Sequence, residues 1–157
     1  MDKKSVIFVI EDDPGFNMMM TEYLKSKNKW DVYSFITGEE CLEKLDLNPS
    51  IFLQDYDLPK MNGIEVLKHV KKVLPEAEFI FLSAQTEIKI AVEAIQLGAF
   101  DYIVKDGHAK SNTLNKIDQV MKIKKLQEEK KNDKVSKNIL LGLLILALIA
   151  FILIVAL

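Results

Sequence analysis

The sequence predicts a doubly wound α/β domain built on a five-stranded parallel sheet, extended by one C-terminal transmembrane helix. Three observations lead there. Between residues 5 and 104, short β-rich runs alternate with segments of helical periodicity. Charged or hydroxyl side chains follow or close four of those runs, at the sheet edge where open α/β folds place their chemistry. The last nineteen residues, Ile139 to Leu157, contain no charged or polar side chain.

The predicted strands are Val6 to Ile10, Val32 to Phe35, Ile51 to Leu53, Phe79 to Leu82 and Tyr102 to Val104. The first helix starts near Pro14, whose missing N–H costs nothing there, and carries Phe16, Met19, Met20, Tyr23 and Leu24 at helical spacing. The run Met18-Met19-Met20 reads as core filler. Thr37-Gly38-Glu39-Glu40 reads as a capped start for the second helix, with Leu42 and Leu45 inward. Ile64, Leu67 and Val70 form the stripe of the third helix. Ile88, Val92 and Ile95 form that of the fourth, which Gly98 ends. The fifth helix begins around Ser111-Asn112, and its stripe of Leu114, Ile117, Val120, Met121, Ile123 and Leu126 runs longer than docking on a small sheet needs. A short coiled-coil stalk is the alternative use of that surplus, although fewer than three clean heptads are visible.

Of 157 residues, 49% are hydrophobic and 28% charged, enough for a packed core. The net charge of -2 conceals an asymmetry: residues 1–109 carry 12 Lys against 19 Asp/Glu, and residues 110–138 carry 9 against 4. There is no Arg, so the planar fork suited to bidentate guanine or phosphate recognition is missing. With an acidic body, this argues against specific binding of nucleic acid. Cys41 is the single cysteine, which excludes an intrachain disulfide and reads as a small buried hydrophobe. As a helix, residues 139–157 would be about 28 Å long, close to the thickness of a bilayer's hydrocarbon. They show neither the polar face of a soluble helix nor the amphipathicity of an interfacial one; a buried oligomerisation helix is the alternative. The lysine-rich neck before the span should stay on the cytoplasmic side, with the acidic domain, through a single-pass C-terminal anchor. The expected organisation is therefore a globular domain over 1–127, a basic juxtamembrane linker over 128–138 and a transmembrane helix over 139–157.

Parallel strands bring their C-terminal ends to one edge. Glu11, Asp12 and Asp13 follow the first strand, Asp55 follows the third, Ser83 closes the fourth and Lys105 the fifth. Crowded carboxylates suit a hard divalent cation, Mg²⁺ or Mn²⁺ in its place, and that charge would neutralise an incoming phosphoryl group. Asp55 is then a nucleophile for phosphorus. Singly, each residue has a plainer use: Asp12 or Asp13 as a helix cap before Pro14, Ser83-Ala84-Gln85-Thr86 as a helix start, Lys105 as a surface lysine. Their joint placement at four strand ends argues for one site. His69 and His108 have no second ligand at metal spacing and are read as surface residues.

The combined pattern resembles the response-regulator receiver domain of two-component signalling, a CheY-like (βα)5 flavodoxin-like fold. It rests on Glu11-Asp12, on Asp55-Tyr56-Asp57-Leu58-Pro59-Lys60-Met61-Asn62-Gly63, on Ser83-Ala84 and on Tyr102-Ile103-Val104-Lys105, and covers roughly residues 4 to 127. The resemblance implies that Asp55 accepts a phosphoryl group from a histidine kinase or phosphotransfer protein. It implies Mg²⁺ held by Asp12, Asp55 and the Asp57 backbone carbonyl, with Glu11 acting through water. Lys105 would pair with the aspartyl phosphate, and Ser83 and Tyr102 would form the switch. It implies no enzyme in the ordinary sense, but an acceptor that assists its own phosphorylation and dephosphorylation.

Two departures stand out. Asp106 replaces the proline usual after the lysine, so a trans bond and a differently shaped loop are expected, with a negative charge near Lys105. Asp57 lies at a variable position where an acid can alter the lifetime of the phosphate. Two other functions compete. Asp55-Tyr56-Asp57 also satisfies the Asp-x-Asp motif of haloacid-dehalogenase phosphatases, but an acidic pair precedes it and Leu58-Pro59 follows. A pseudo-receiver scaffold is the other, against which the intact set Asp12, Asp55, Ser83 and Lys105 argues. No sequence for a DNA-binding or other output domain follows the fifth helix. The expected output is therefore through an unknown downstream protein, a homodimer or the membrane tail.

Overall fold

The computed structural model describes residues 4–84 and 88–155. Gln85 and Thr86 of the expected helix start, and Ala156 and Leu157 of the expected span, lie outside them. The strands are β1 (Val6–Ile10), β2 (Asp31–Phe35), β3 (Ile51–Asp55), β4 (Glu78–Ser83) and β5 (Asp101–Val104). Between and after them run α1 (Pro14–Lys25), α2 (Gly38–Leu42), a 3-10 turn (Leu45–Leu47), α3 (Gly63–Val73), α4 (Ile88–Gln96) and α5 (Ala109–Val155). All pairings are parallel, in the order β2-β1-β3-β4-β5. The order reverses direction between β1 and β3, which opens a crevice at their C-terminal ends.

The sheet is covered on both faces, so the inner strands are buried along almost their whole length rather than alternating, with their polar residues gathered at the ends. On one face Phe8, Phe52, Phe79 and Phe81 pack with Cys41, Ile64, Val66, Leu67, Val70 and Ala94. Phe52 and Phe79, paired in register, stack at 4.5 Å between ring centroids. Strand alternation sends Ile7, Val9, Leu53, Ile80 and Leu82 to the other face, and Met20 and Leu24 of α1 and Ile117 of α5 are buried too. Asp13 caps α1 through a 2.6 Å bond from the Phe16 N–H, which settles the cap between Asp12 and Asp13. A full capping box, Asn62 with Glu65, starts α3. Gly63 at its first position meets a crowded neighbourhood, because an added Cβ would strike the Asp55 carbonyl oxygen and lie 2.8 Å from Phe81.

Several local expectations are corrected. Met18 is 67% exposed and only Met20 of the methionine run is fully buried, since three successive helical residues spread over most of a turn. Leu42 and Leu45 both pack against the core as expected, but Leu45 does so from the 3-10 turn, because α2 closes at Glu43 and Asn48 turns left-handed at φ 54°. The α4 stripe is exposed: Ile88, Val92 and Ile95 stand 79%, 47% and 46% open, and Ala94 is the buried residue of that helix. A periodic stripe reports a face that can be covered, not what covers it. Helix α5 starts earlier than Ser111, because Asp106 accepts from the His108 N–H at 2.8 Å and its carbonyl accepts from Ala109 at 3.1 Å.

The chain forms two compact units, Met1–Asp118 and Gln119–Leu157. In the second, Ile123 and Leu126 are exposed at 44% and 48%. The helix is unbroken through the basic neck, and its apolar end is long and apolar enough to cross a membrane, with none of that stretch buried.

Candidate functional site

The site is assembled at the β1/β3 crevice. Glu11 follows β1, and its backbone N–H donates to the Phe35 carbonyl at 3.1 Å, prolonging the β1–β2 ladder. That pulls its carboxyl inward to 1% exposure, while Asp12, one residue on, faces solvent. Asp55 is the last residue of β3 and 5% exposed. Lys105, just past β5, places its ammonium 2.7 Å from Asp55 Oδ2 and 2.8 and 2.7 Å from Glu11 Oε1 and Oε2. Its backbone N–H donates to the Ser83 carbonyl at 2.8 Å, and Ser83 is fully buried at the end of β4. Asp57 is exposed, and its N–H donates to Asp55 Oδ1 at 3.3 Å. Tyr102, half-buried on β5, lies in the crevice's neighbouring groove with Ala91, Val92, Ile95, Gln96 and Asp101.

Charge follows burial. Loss of solvent raises the Glu11 carboxyl, the hydrogen bond from Lys105 opposes the rise, the Asp55 charge reinforces it, and the result is about 7. For Lys105 burial acts downward, but hydrogen bonds to Asp55 and Glu11 outweigh it and hold the ammonium above its ordinary value. Asp106 stays out of this network, its carboxylate bonded to the His108 N–H. No cis peptide occurs among the described residues, as expected for Asp106. His69 is exposed with Nδ1 2.8 Å from the Glu65 carbonyl, and His108 is exposed as well. Cys41 is buried, which pushes its thiol up to about 12.

Glu11, Asp12 and Asp55 each present a carboxylate oxygen, and these atoms lie within 4.8 Å of one another. Glu11 Oε2 is buried and lacks a hydrogen bond, its contact with the Lys105 ammonium being purely an ion pair. Three hard oxygens converging with one lone pair unspent suit a small dication. Two contributors escaped the sequence reading. Asn17 is 6% exposed, and its amide donates at 2.9 Å to both the Glu11 and Phe35 carbonyls, fixing the turn that carries the acids. A polar residue among apolar helix positions was its only signal. Phe16 puts its ring centroid 4.9 Å from the Lys105 ammonium, which only the folded arrangement of α1 against the end of β5 discloses.

A parallel (βα)5 sheet that gathers carboxylates and a lysine at its switch point suits phosphate chemistry. Residues 7–118 match the response regulator receiver domain, and the chain belongs to that family. It is 38% identical over 99 residues to the chemotaxis protein CheY of Thermotoga maritima, covering 62% of this chain and 82% of CheY. It is 32% identical over 99 residues to the transcriptional regulatory protein CssR of Bacillus subtilis, covering 63% of this chain and 44% of CssR. Among solved structures, the response regulator domain of Thermotoga maritima CheB is 29% identical at a TM-score of 0.69, covering 76% of this chain and 98% of that one. The BeF3-activated DrrB receiver domain shares the fold at a TM-score of 0.70 and 24% identity, covering 76% and 98%.

The chain is thus the phosphorylation-accepting receiver of a two-component response regulator. Receiver domains bind Mg²⁺ through acidic residues and interact with histidine kinases or phosphotransfer proteins. As a class they are not enzymes in themselves; a protein-glutamate methylesterase of Pseudomonas syringae matches over 31% of its length.

Proposed function

We propose that Asp55 is the phosphoryl acceptor of a membrane-tethered response regulator. The observation that carries this is the Asp55 carboxylate, nearly buried at the end of β3, held 2.7 Å from the Lys105 ammonium beside Glu11 and Asp12. In the transfer, the phosphorus–nitrogen bond of a phosphohistidine on a kinase or phosphotransfer protein breaks as an Asp55 oxygen bonds to phosphorus. Asp12, Asp55 and the Asp57 carbonyl, with Glu11 behind, would hold Mg²⁺, which would supply positive charge for the phosphoryl oxygens. Lys105 is the protein's own cation for the phosphoryl oxygens, already paired with Asp55. Ser83 hydrogen-bonds a phosphoryl oxygen, and Tyr102 responds by turning inward. The altered surface is the groove of α4 and β5 with the start of α5, where exposed Val92 and Ile95 await a downstream partner or a second copy.

Residues 1–127 form the receiver in this reading, 128–138 a basic neck and 139–157 the single-pass anchor, with the receiver on the cytoplasmic face. Support for the anchor comes from the exposed apolar end of α5 and the lysines before it. Incubation with phosphoramidate and Mg²⁺, followed by intact mass measurement, should add one phosphoryl group to the wild type and none to Asp55→Asn. A wild type that stays unmodified, or equal labelling of the variant, overturns the acceptor assignment. Membrane fractions washed with alkali should retain the full chain and release one shortened by residues 139–157.

A further inference from the structure

We propose that the face of α5 formed by Lys130, Lys134 and Lys137 is a binding surface for anionic phospholipid headgroups, which gathers acidic lipid around the anchor. The inference rests on the membrane-tether reading and extends it. At 100° per residue these three lysines fall within an arc of roughly 60°. They continue the line of exposed Ile123 and Leu126 on the same unbroken helix. Extending the heptad begun by Ile123 and Leu126 would place Lys130 and Lys137 at a positions and Asp133 at d. A parallel pair of such helices would pack lysine against lysine, so a second copy is a poor occupant of this face.

A negative surface is a good one. None of the three lysines has a hydrogen-bond or ion-pair partner among the described residues, and all are exposed. Measured along the axis from Ile139, the first residue of the apolar stretch, Lys137 lies about 3 Å, Lys134 about 8 Å and Lys130 about 14 Å away. The first two therefore stand in the headgroup layer, and the third lies near the reach of its field, about 10 Å at 0.1 M salt. Compact ammonium groups on long stems suit phosphodiester oxygens without needing the bidentate geometry of arginine.

The test reconstitutes the full chain in vesicles of phosphatidylcholine with phosphatidylglycerol and reads the lipid shell with spin-labelled versions of each. Wild type should prefer phosphatidylglycerol roughly fivefold at 0.1 M salt, falling toward parity at 1 M. Lys130→Gln/Lys134→Gln/Lys137→Gln should show parity at both, and the matching triple Lys→Arg variant should keep the preference. Parity in the wild type, or a preference that survives the glutamine variant, overturns the proposal. If alkali releases the wild type, the anchor reading fails. The surface is then read by sedimentation with phosphatidylglycerol or phosphatidylcholine vesicles, where selective binding lost in the glutamine variant upholds it and equal binding overturns it.

Discussion

Replacing Lys105 with methionine keeps the approximate length of the side chain and removes the cation that bridges Glu11 and Asp55. In the wild type the folded-state pKa of Glu11 stands near 7, above its unfolded value of about 4.5. The native state therefore holds the proton more tightly. The stability this gives is complete below about 4.5 and is lost as the pH rises to about 7. Lys105 also has a raised folded pKa, so its own contribution persists until strongly alkaline pH and does not titrate in this window. In Lys105→Met the hydrogen bond that opposed the rise of Glu11 is gone, while burial and the Asp55 charge remain. The window of loss then extends above 7. Each further pH unit over which native Glu11 stays protonated costs about 1.4 kcal/mol relative to the unfolded chain. The destabilisation caused by Lys105→Met should therefore be about 2 kcal/mol larger at pH 8.5 than at pH 6.5, by urea unfolding in chelator. A difference below about 0.5 kcal/mol would refute the account in which Lys105 compensates a desolvated Glu11.

Two further outcomes follow from the same geometry. Gly63→Ala should cost about 1–3 kcal/mol in urea unfolding, because the new methyl meets the Asp55 carbonyl and the Phe81 ring and neither is a flexible side-chain end; an unchanged midpoint would contradict the crowding. Mg²⁺ affinity, measured by calorimetry, should fall about tenfold from pH 8 to pH 6 as protons hold Glu11, with proton release on binding at pH 6; Glu11→Gln should abolish the slope, and a slope that survives assigns the proton elsewhere.

The parts of this molecule that obey a short-range rule were readable before folding. Five β-rich runs at strand length, four of them followed or closed by a charged or hydroxyl residue, specify a parallel sheet and place Asp55, Ser83 and Lys105 along one edge. Distances between those residues were not readable, because they depend on the β1–β3–β4–β5 register. Neighbouring residues were harder still: Glu11 and Asp12 look alike in sequence, yet one is buried and the other exposed, since the ladder bond from Glu11 to Phe35 turns only the first inward. The α4 stripe shows the opposite failure. Its apolar spacing was plain, but helical period carries no information on whether a helix face meets core or solvent.

The bond from the Lys105 N–H to the Ser83 carbonyl joins the ammonium's strand to the hydroxyl's at one shared rung. A shift of either strand end therefore displaces both groups in concert. In that sense the pair is a single mechanical part: under the proposed acceptor role, a substitution that tunes the phosphoryl contact at one end would also retune the other.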